Sequence, residues 1–402
     1  MSFPKVLLNT RVLSFMNPDF HSPNYRLFYV DWLRVIAFTL LIFYHTGLIF
    51  VDWGYHIQNN QFSESMKLPM LFLNQWRLPL LFFVSGLGVR FALGKRSSGT
   101  FIRERFIRLF VPLVVGVLFI VPPQVYYESL YRRQFEGSYI TFYPMYILGG
   151  KLTWNHLWFL PYLLVYSLGA LPFFLFVRSR MTGVKRILDW LFNSPAKLIL
   201  LLIPLVVIEV TLRNAFPDTR NLINDGYNFA FYFYVFLLGY LIGSDAKSLE
   251  MIQRRRWFYL LLGISSFLMI YFGWHASGIN FLEKSRLGWF AFSILKCLNI
   301  LSWIFCCFGF AGKYLNRNSQ FLAYANESVY PFYIIHQTVL IALAYYVVQF
   351  PAGIGAKYAM ITFSTFVLSF LIYEFGIRRF AAVHILFGLR QKKELKKTVV
   401  IV

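Results

Sequence analysis

The chain has 402 residues, 58% of them hydrophobic and only 14% charged, with a net charge of +22. A soluble domain carries about 25% charged residues, so this composition excludes an ordinary water-soluble globule. The positive charge raises the question of nucleic acid, but the basic residues collect in alternate loops between long apolar runs, the distribution that orients a polytopic membrane protein. No nucleic-acid partner is expected; the lipid bilayer is.

A helix needs roughly 20 mainly apolar residues to cross the hydrocarbon core. Ten such runs follow one another: 29–51, 69–92, 107–127, 156–177, 197–215, 227–243, 257–274, 287–312, 327–349 and 358–377. The third contains Pro112, Pro122 and Pro123, which predicts a kink or an early end. The fifth, "LLIPLVVIEVTLRN", is the weakest, interrupted by Pro204 and Glu209. About 27 of the 39 Lys and Arg lie near the N-terminal side and about 9 on the other, with Arg34, Arg77 and Lys296 inside runs. That bias places the N-terminal side in the cytoplasm, and an even number of spans puts the C-terminus there too. The expected fold is therefore all-α: a polytopic bundle of about ten transmembrane helices with both termini cytoplasmic. Residues 1–26 form a cytoplasmic segment, 27–380 the transmembrane domain and 381–402 a basic cytoplasmic tail. The first 26 residues lack an apolar core with a small-residue cleavage site, so no removable signal peptide is expected. Cys297, Cys306 and Cys307 share one apolar run with neither zinc nor disulfide spacing and read as buried free thiols.

Ionisable groups inside a span are costly and face the bundle interior. Here they are Asp31, Arg34, His45, Arg77, Glu209, Lys296, His336 and Glu374. In "RVIAFTLLIFYH" the eleven steps from Arg34 to His45 rotate a helix by about 1,100°, so both side chains project from one face, about 16 Å apart along the axis. Asp31, one turn from Arg34, is placed to hold its rotamer. Arg77 lies at about the depth of His45, either paired with Glu209 or free to stabilise a developing anion. His336, near mid-bilayer, either orients His45, contacts the substrate or makes a polar helix contact. Ser85 with Gly86 reads first as a close helix approach. Trp158 with Phe159 reads as an aromatic belt or a sugar platform. No metal-ligand cluster, Gly-rich phosphate loop or Ser-His-Asp spacing stands out.

These fragments, in order, resemble the membrane acyltransferase type 3 family, in particular its glucan biosynthesis protein C-like branch. The resemblance rests on Asp31, Leu33, Arg34, Ala37 and His45; on "WRLPLLFFVSGLG" with Arg77; on "FIRERFIRLFVP"; on "HLWFLPYLL"; and on "NESVYPFYIIHQTVL" with His336. It covers about residues 25–390, and Tyr44 departs from the family's apolar run before the first histidine. The resemblance implies O-acyl transfer in a bacterial cytoplasmic membrane. The donor would be cytoplasmic acyl-coenzyme A, acetyl or succinyl, as a co-substrate rather than a resident cofactor; the acceptor would be a carbohydrate hydroxyl outside. His45 would be the general base, with Arg77 and His336 beside it. Arg34, Arg103, Arg105 and Arg108 would hold the coenzyme phosphates, and His156 and Trp158 the acceptor. The competing readings are a transporter or flippase and a structural subunit of a glycan assembly complex.

Overall fold

A computed structural model of the chain describes residues 26–277 and 285–389. The predicted N-terminal segment up to residue 25, and the tail from 390 onward, lie outside the described residues. The molecule is 80% helical, without strands among the described residues. The helices are α1 (Phe28–Leu48), α2 (Glu64–Lys95), α3 (Ser98–Tyr131), α4 (Tyr139–Leu148), α5 (Asn155–Gly169), α6 (Leu171–Ser179), α7 (Met181–Asn193) and α8 (Pro195–Leu212), followed by α9 (Gly226–Ile242), α10 (Ala246–Arg254), α11 (Arg256–Ser277), α12 (Arg286–Tyr314), α13 (Gln320–Val347) and α14 (Ile354–Ile377). Eight are long and apolar enough to cross a bilayer singly; the α5–α6 pair, bent by 46°, and the α9–α10 pair, bent by 104°, bring the number to ten. Each of the ten predicted runs falls on one of them.

The breaks have local causes. Pro172 in the first turn of α6 lacks the N–H that would continue α5. At the other break Asp245 caps α10 through the Ser248 amide at 2.7 Å, which ends the apolar helix at Ile242. The third span does not stop at its prolines. Two π-helical turns, Phe106–Phe110 and Gly116–Ile120, precede Pro112 and Pro122, and the widened turn takes up the missing hydrogen bond, so the helix runs on to Tyr131.

Helices α2 and α9 cross at two glycines. A Cβ on Gly86 would overlap the Phe236 carbonyl, and one on Gly239 would overlap that of Phe83. Ser85 donates into its own helix, to Leu81 O at 2.7 Å, so the Ser-Gly pair serves close approach. The weak fifth span, α8, is anchored by charge: buried Glu209 accepts from Lys296 Nζ of α12 at 2.6 Å and from the Tyr227 hydroxyl of α9. Of the two alternatives for Arg77, the one that pairs it with Glu209 is thereby corrected: the carboxylate belongs to Lys296. Cys297 and Cys306 are buried and Cys307 half-buried, all free. The Arg254–Arg256 run does more than mark topology: Arg255 donates to the carbonyls of Phe192 and Asn193, closing the C-terminal end of α7.

Helices α1 and α13 run side by side in the same direction. Their contacts climb in step: Trp32 stacks on Phe321, Arg34 Nη1 donates to Asn326 Oδ1 at 3.2 Å, Phe38 packs on Tyr333, and His45 meets His336. The face shared by Arg34 and His45 is thus the face turned to α13. The end of the bundle holding Phe28 and Gln320 is called the near face below, and the opposite end the far face.

Candidate active site

The centre of the site is a histidine pair. His45 Nδ1 lies 3.2 Å from His336 Nε2, with the rings stacked at 5.4 Å between centroids. His336 Nδ1 lies 2.8 Å from the Tyr333 carbonyl and 3.2 Å from that of Phe332. Two carbonyls only accept, so Nδ1 of His336 carries the proton and its Nε2 holds a lone pair. That lone pair requires His45 to be protonated on Nδ1. His45 Nε2 is left as the basic nitrogen, on a side chain that lines a cavity. The backbone of α13 thereby selects, through one imidazole, the tautomer of another.

Arg77 lines the same cavity and is 2% exposed. Its guanidinium carbon sits 3.9 Å above the centre of the Tyr44 ring, and the Tyr44 hydroxyl is tied to Asn74 Oδ1 at 2.9 Å. Tyr44, the departure from the family pattern, is the platform that carries Arg77. Among the described residues nothing hydrogen-bonds Arg77 Nε or Nη1. A buried cation with free N–H groups and no carboxylate partner is a standing site for negative charge.

Two hollows meet at the histidines. The far-face cavity, of about 570 Å³, is polar and is lined by His45, Arg77, His56, Glu128, Arg220 and Trp158 among others. The second, of about 410 Å³, is an apolar groove between α1, α13 and α14, rising from Phe321 and Tyr324 past Val35 and Thr39 to Ile42 and His336. Phe38 and Tyr333 line both. The wall between the hollows is therefore these two rings together with the histidine pair.

The predicted phosphate-binding arginines are only partly brought together. Arg34 is held by Asp31 at 3.4 Å and by Asn326, and Asp31 also binds Arg26 at 2.7 Å. Arg105 lies over the Phe101 ring, with Arg108, Arg96 and Arg34 as its neighbouring cations. Arg108 donates to Gly388 O at 3.2 Å. Arg103 is exposed and, two residues from Arg105, projects about 200° around the helix from it. The structure does not place it with the others.

Trp158 is buried along the far cavity, its ring packed on Phe82, Tyr162 and Tyr232. His156 borders the cavity with both ring nitrogens engaged. Nε2 bonds Ile334 O at 3.0 Å, and Nδ1 faces Gln124 Nε2 at 3.3 Å. The Tyr333 hydroxyl returns to His156 O at 2.6 Å. His156 is thus a brace between α5, α3 and α13, with no ring nitrogen left for a substrate.

Sequence reasoning missed a second histidine group in this cavity. His56, from the loop after α1, contacts Glu128 Oε2 at 2.5 Å and Gln337 Nε2 at 3.1 Å. Tyr55 stands between His45 and His56, 6.1 Å and 4.9 Å from their ring centroids. Burial pushes the Tyr55 phenol above its ordinary range, so it stays a neutral O–H. One signal existed: Gln337 directly follows His336 in the last recognisable motif.

A base of fixed tautomer facing an unpaired guanidinium, inside a helical membrane bundle, is equipment for moving a group between two carriers through an anionic transition state. The comparison with known families agrees: residues 27–374 match the family model described as Acyltransferase domain. The match covers most of the chain, which belongs to that family, the type 3 acyltransferases; the protein is a multi-pass membrane acyltransferase. No curated protein and no solved structure matches the chain.

Proposed function

We propose that the protein is an O-acyltransferase of the glucan biosynthesis protein C-like branch, working in a bacterial cytoplasmic membrane. It moves an acetyl or succinyl group from acyl-coenzyme A on the near, cytoplasmic face to a hydroxyl of a glucan or other surface carbohydrate on the far, outer face. The observation that carries this reading is the position of the histidine pair: in the wall between an apolar groove reached from one face and a polar cavity on the other.

The acceptor enters the far cavity, whose lining includes Trp158 and the tryptophans of the far loops, Trp53 and Trp154. The donor's thin pantetheine arm follows the near groove, while Arg34, Arg105 and Arg108 hold its phosphates with planar N–H forks. Arg103 faces away from them and contributes only long-range charge. His45 Nε2 takes the proton of the acceptor hydroxyl, and the oxygen attacks the thioester carbonyl carbon. The tetrahedral oxyanion lies against the free N–H groups of Arg77. The intermediate collapses with cleavage of the C–S bond, and the His45 imidazolium returns its proton to the leaving thiolate. The ester and the free thiol are the products, with no net proton gained or lost. His336 acts as a positioning residue, since it sets the His45 tautomer and touches no reacting atom.

The test is acyl transfer in membranes supplied with labelled acyl-coenzyme A, read by mass spectrometry of the surface glycans. His45→Ala should lower transfer by about 10²–10⁴-fold, the range expected for loss of a general base. Transfer at the normal rate by a stably inserted His45→Ala protein would sink the assignment.

A further inference from the structure

The far cavity holds polar groups that the transfer step does not use. Glu128, near the end of α3, is bound on both sides: Oε2 to His56 Nδ1 at 2.5 Å and Oε1 to Arg132 Nη2 at 2.9 Å. A carboxylate against Nδ1 fixes a proton of His56 on that nitrogen, and in the neutral imidazole its Nε2 is then an acceptor. That acceptor faces the side-chain amide of Gln337 at 3.1 Å and so takes an N–H from it. The consequence passes down the chain: with its nitrogen turned to His56, the Gln337 amide has its oxygen turned the other way. Gln337 is 3% exposed, and its Oε1 has no hydrogen-bond partner. The hydroxyl of Tyr55, between the two histidines, is also unpartnered. Both residues line the cavity that contains His45 and Arg77.

A buried carbonyl oxygen without a donor costs about as much as a lost hydrogen bond. Here two carboxylate contacts and a histidine hold the amide so that this oxygen stays unpaired. We propose that Gln337 Oε1 is an acceptor-recognition atom. It takes a hydrogen bond from a second hydroxyl of the substrate while His45 takes the proton of the first, and Glu128 and His56 are the positioning residues that hold its amide in that orientation. The acceptor is accordingly polyhydric: the site selects a molecule with a further hydroxyl near the acylated one over a simple alcohol of similar size. Tyr55, whose hydroxyl can both donate and accept and also has no partner, lines the same cavity. This inference rests on the O-acyl transfer proposed above and narrows its substrate class.

The test uses the full-length protein in detergent, labelled acetyl-coenzyme A and succinyl-coenzyme A in separate reactions, and two probe acceptors, methyl glucoside and propan-1-ol. The quantity read is the ratio of kcat/KM for the glucoside to that for the alcohol. In Gln337→Met, which keeps the volume and removes the acceptor, the ratio should fall about tenfold or more, mainly through KM of the glucoside. Gln337→Glu, which restores an acceptor oxygen, should recover part of it, and Glu128→Gln should give a smaller fall by loosening His56. Size-exclusion profiles identify which variants are folded, and Gln337→Glu supplies the comparison if the Met variant is not. An unchanged ratio in a folded Gln337 variant overturns the recognition role. Failure of the wild type to release thiol with water, the glucoside or the alcohol overturns instead the transfer reading on which it rests.

Discussion

Two cations inside spans of this bundle are treated in opposite ways. In the quarter formed by α8, α9 and α12, Lys296 is bound by Glu209 at 2.6 Å, and the carboxylate is further held by the Tyr227 hydroxyl; Glu209 is completely buried. In the quarter formed by α1, α2 and α13, Arg77 is as deeply buried, yet it has an aromatic ring beneath it and no carboxylate beside it. The first arrangement closes a charge account between helices and fixes how they pack. The second leaves part of the guanidinium uncommitted inside a cavity. The difference supports the proposed placement of the chemistry at the second, since removing a buried charge from water without pairing it is costly and persists where something transient is to be bound.

Three substitutions probe this contrast. Arg77→Met should lower acyl transfer by about 10²–10³-fold, the usual cost of losing an oxyanion donor, while the thermal midpoint of the purified protein does not fall. A large loss of midpoint with normal transfer would make Arg77 structural and erase the distinction. Glu209→Gln should behave in reverse. It leaves Lys296, partly exposed within its span, without its carboxylate, destabilising the protein by about 2 kcal/mol, with transfer per folded molecule preserved; Glu209→Leu combined with Lys296→Met should recover most of that stability. The smallest effect is at the platform. Tyr44→Leu removes a cation–π contact of about 1–2 kcal/mol and should reduce transfer five- to thirtyfold. Tyr44→Phe, which keeps the ring and loses only the bond to Asn74, should retain most of the rate. Equal losses in the two Tyr44 variants would shift the role from the ring to the hydroxyl.

The spans were legible because crossing hydrocarbon demands length and apolarity, which a sequence displays directly. His45, Arg77 and His336 stood out for the same reason: an ionisable group in an apolar run is conspicuous. What stayed hidden depended on long-range pairing. Glu209 had two cations within plausible depth, and only the packing of α8 on α12 decides for Lys296. His56 lies in a polar loop and Glu128 near the end of a span, where such residues are ordinary, so nothing local announces that α13 brings Gln337 to them. Arg103 is a different case. Its spacing from Arg105 implies the opposite side of the helix, a rotation that a run of like residues does not display by itself.

The partition made by Phe38, Tyr333 and the two imidazoles has an electrical consequence as well. A membrane held at 100 mV does work of about 2.3 kcal/mol on each unit charge that crosses it. Water entering the far cavity would carry the potential of that compartment inward to His45, so the voltage would fall mainly across the remaining protein on the near side. The aromatic partition is then an insulator in a very thin dielectric. On the proposed reading it lets a carbonyl carbon be approached from both compartments while denying ions a continuous wet path, and replacing both rings with alanine would convert a group-transfer site into a leak.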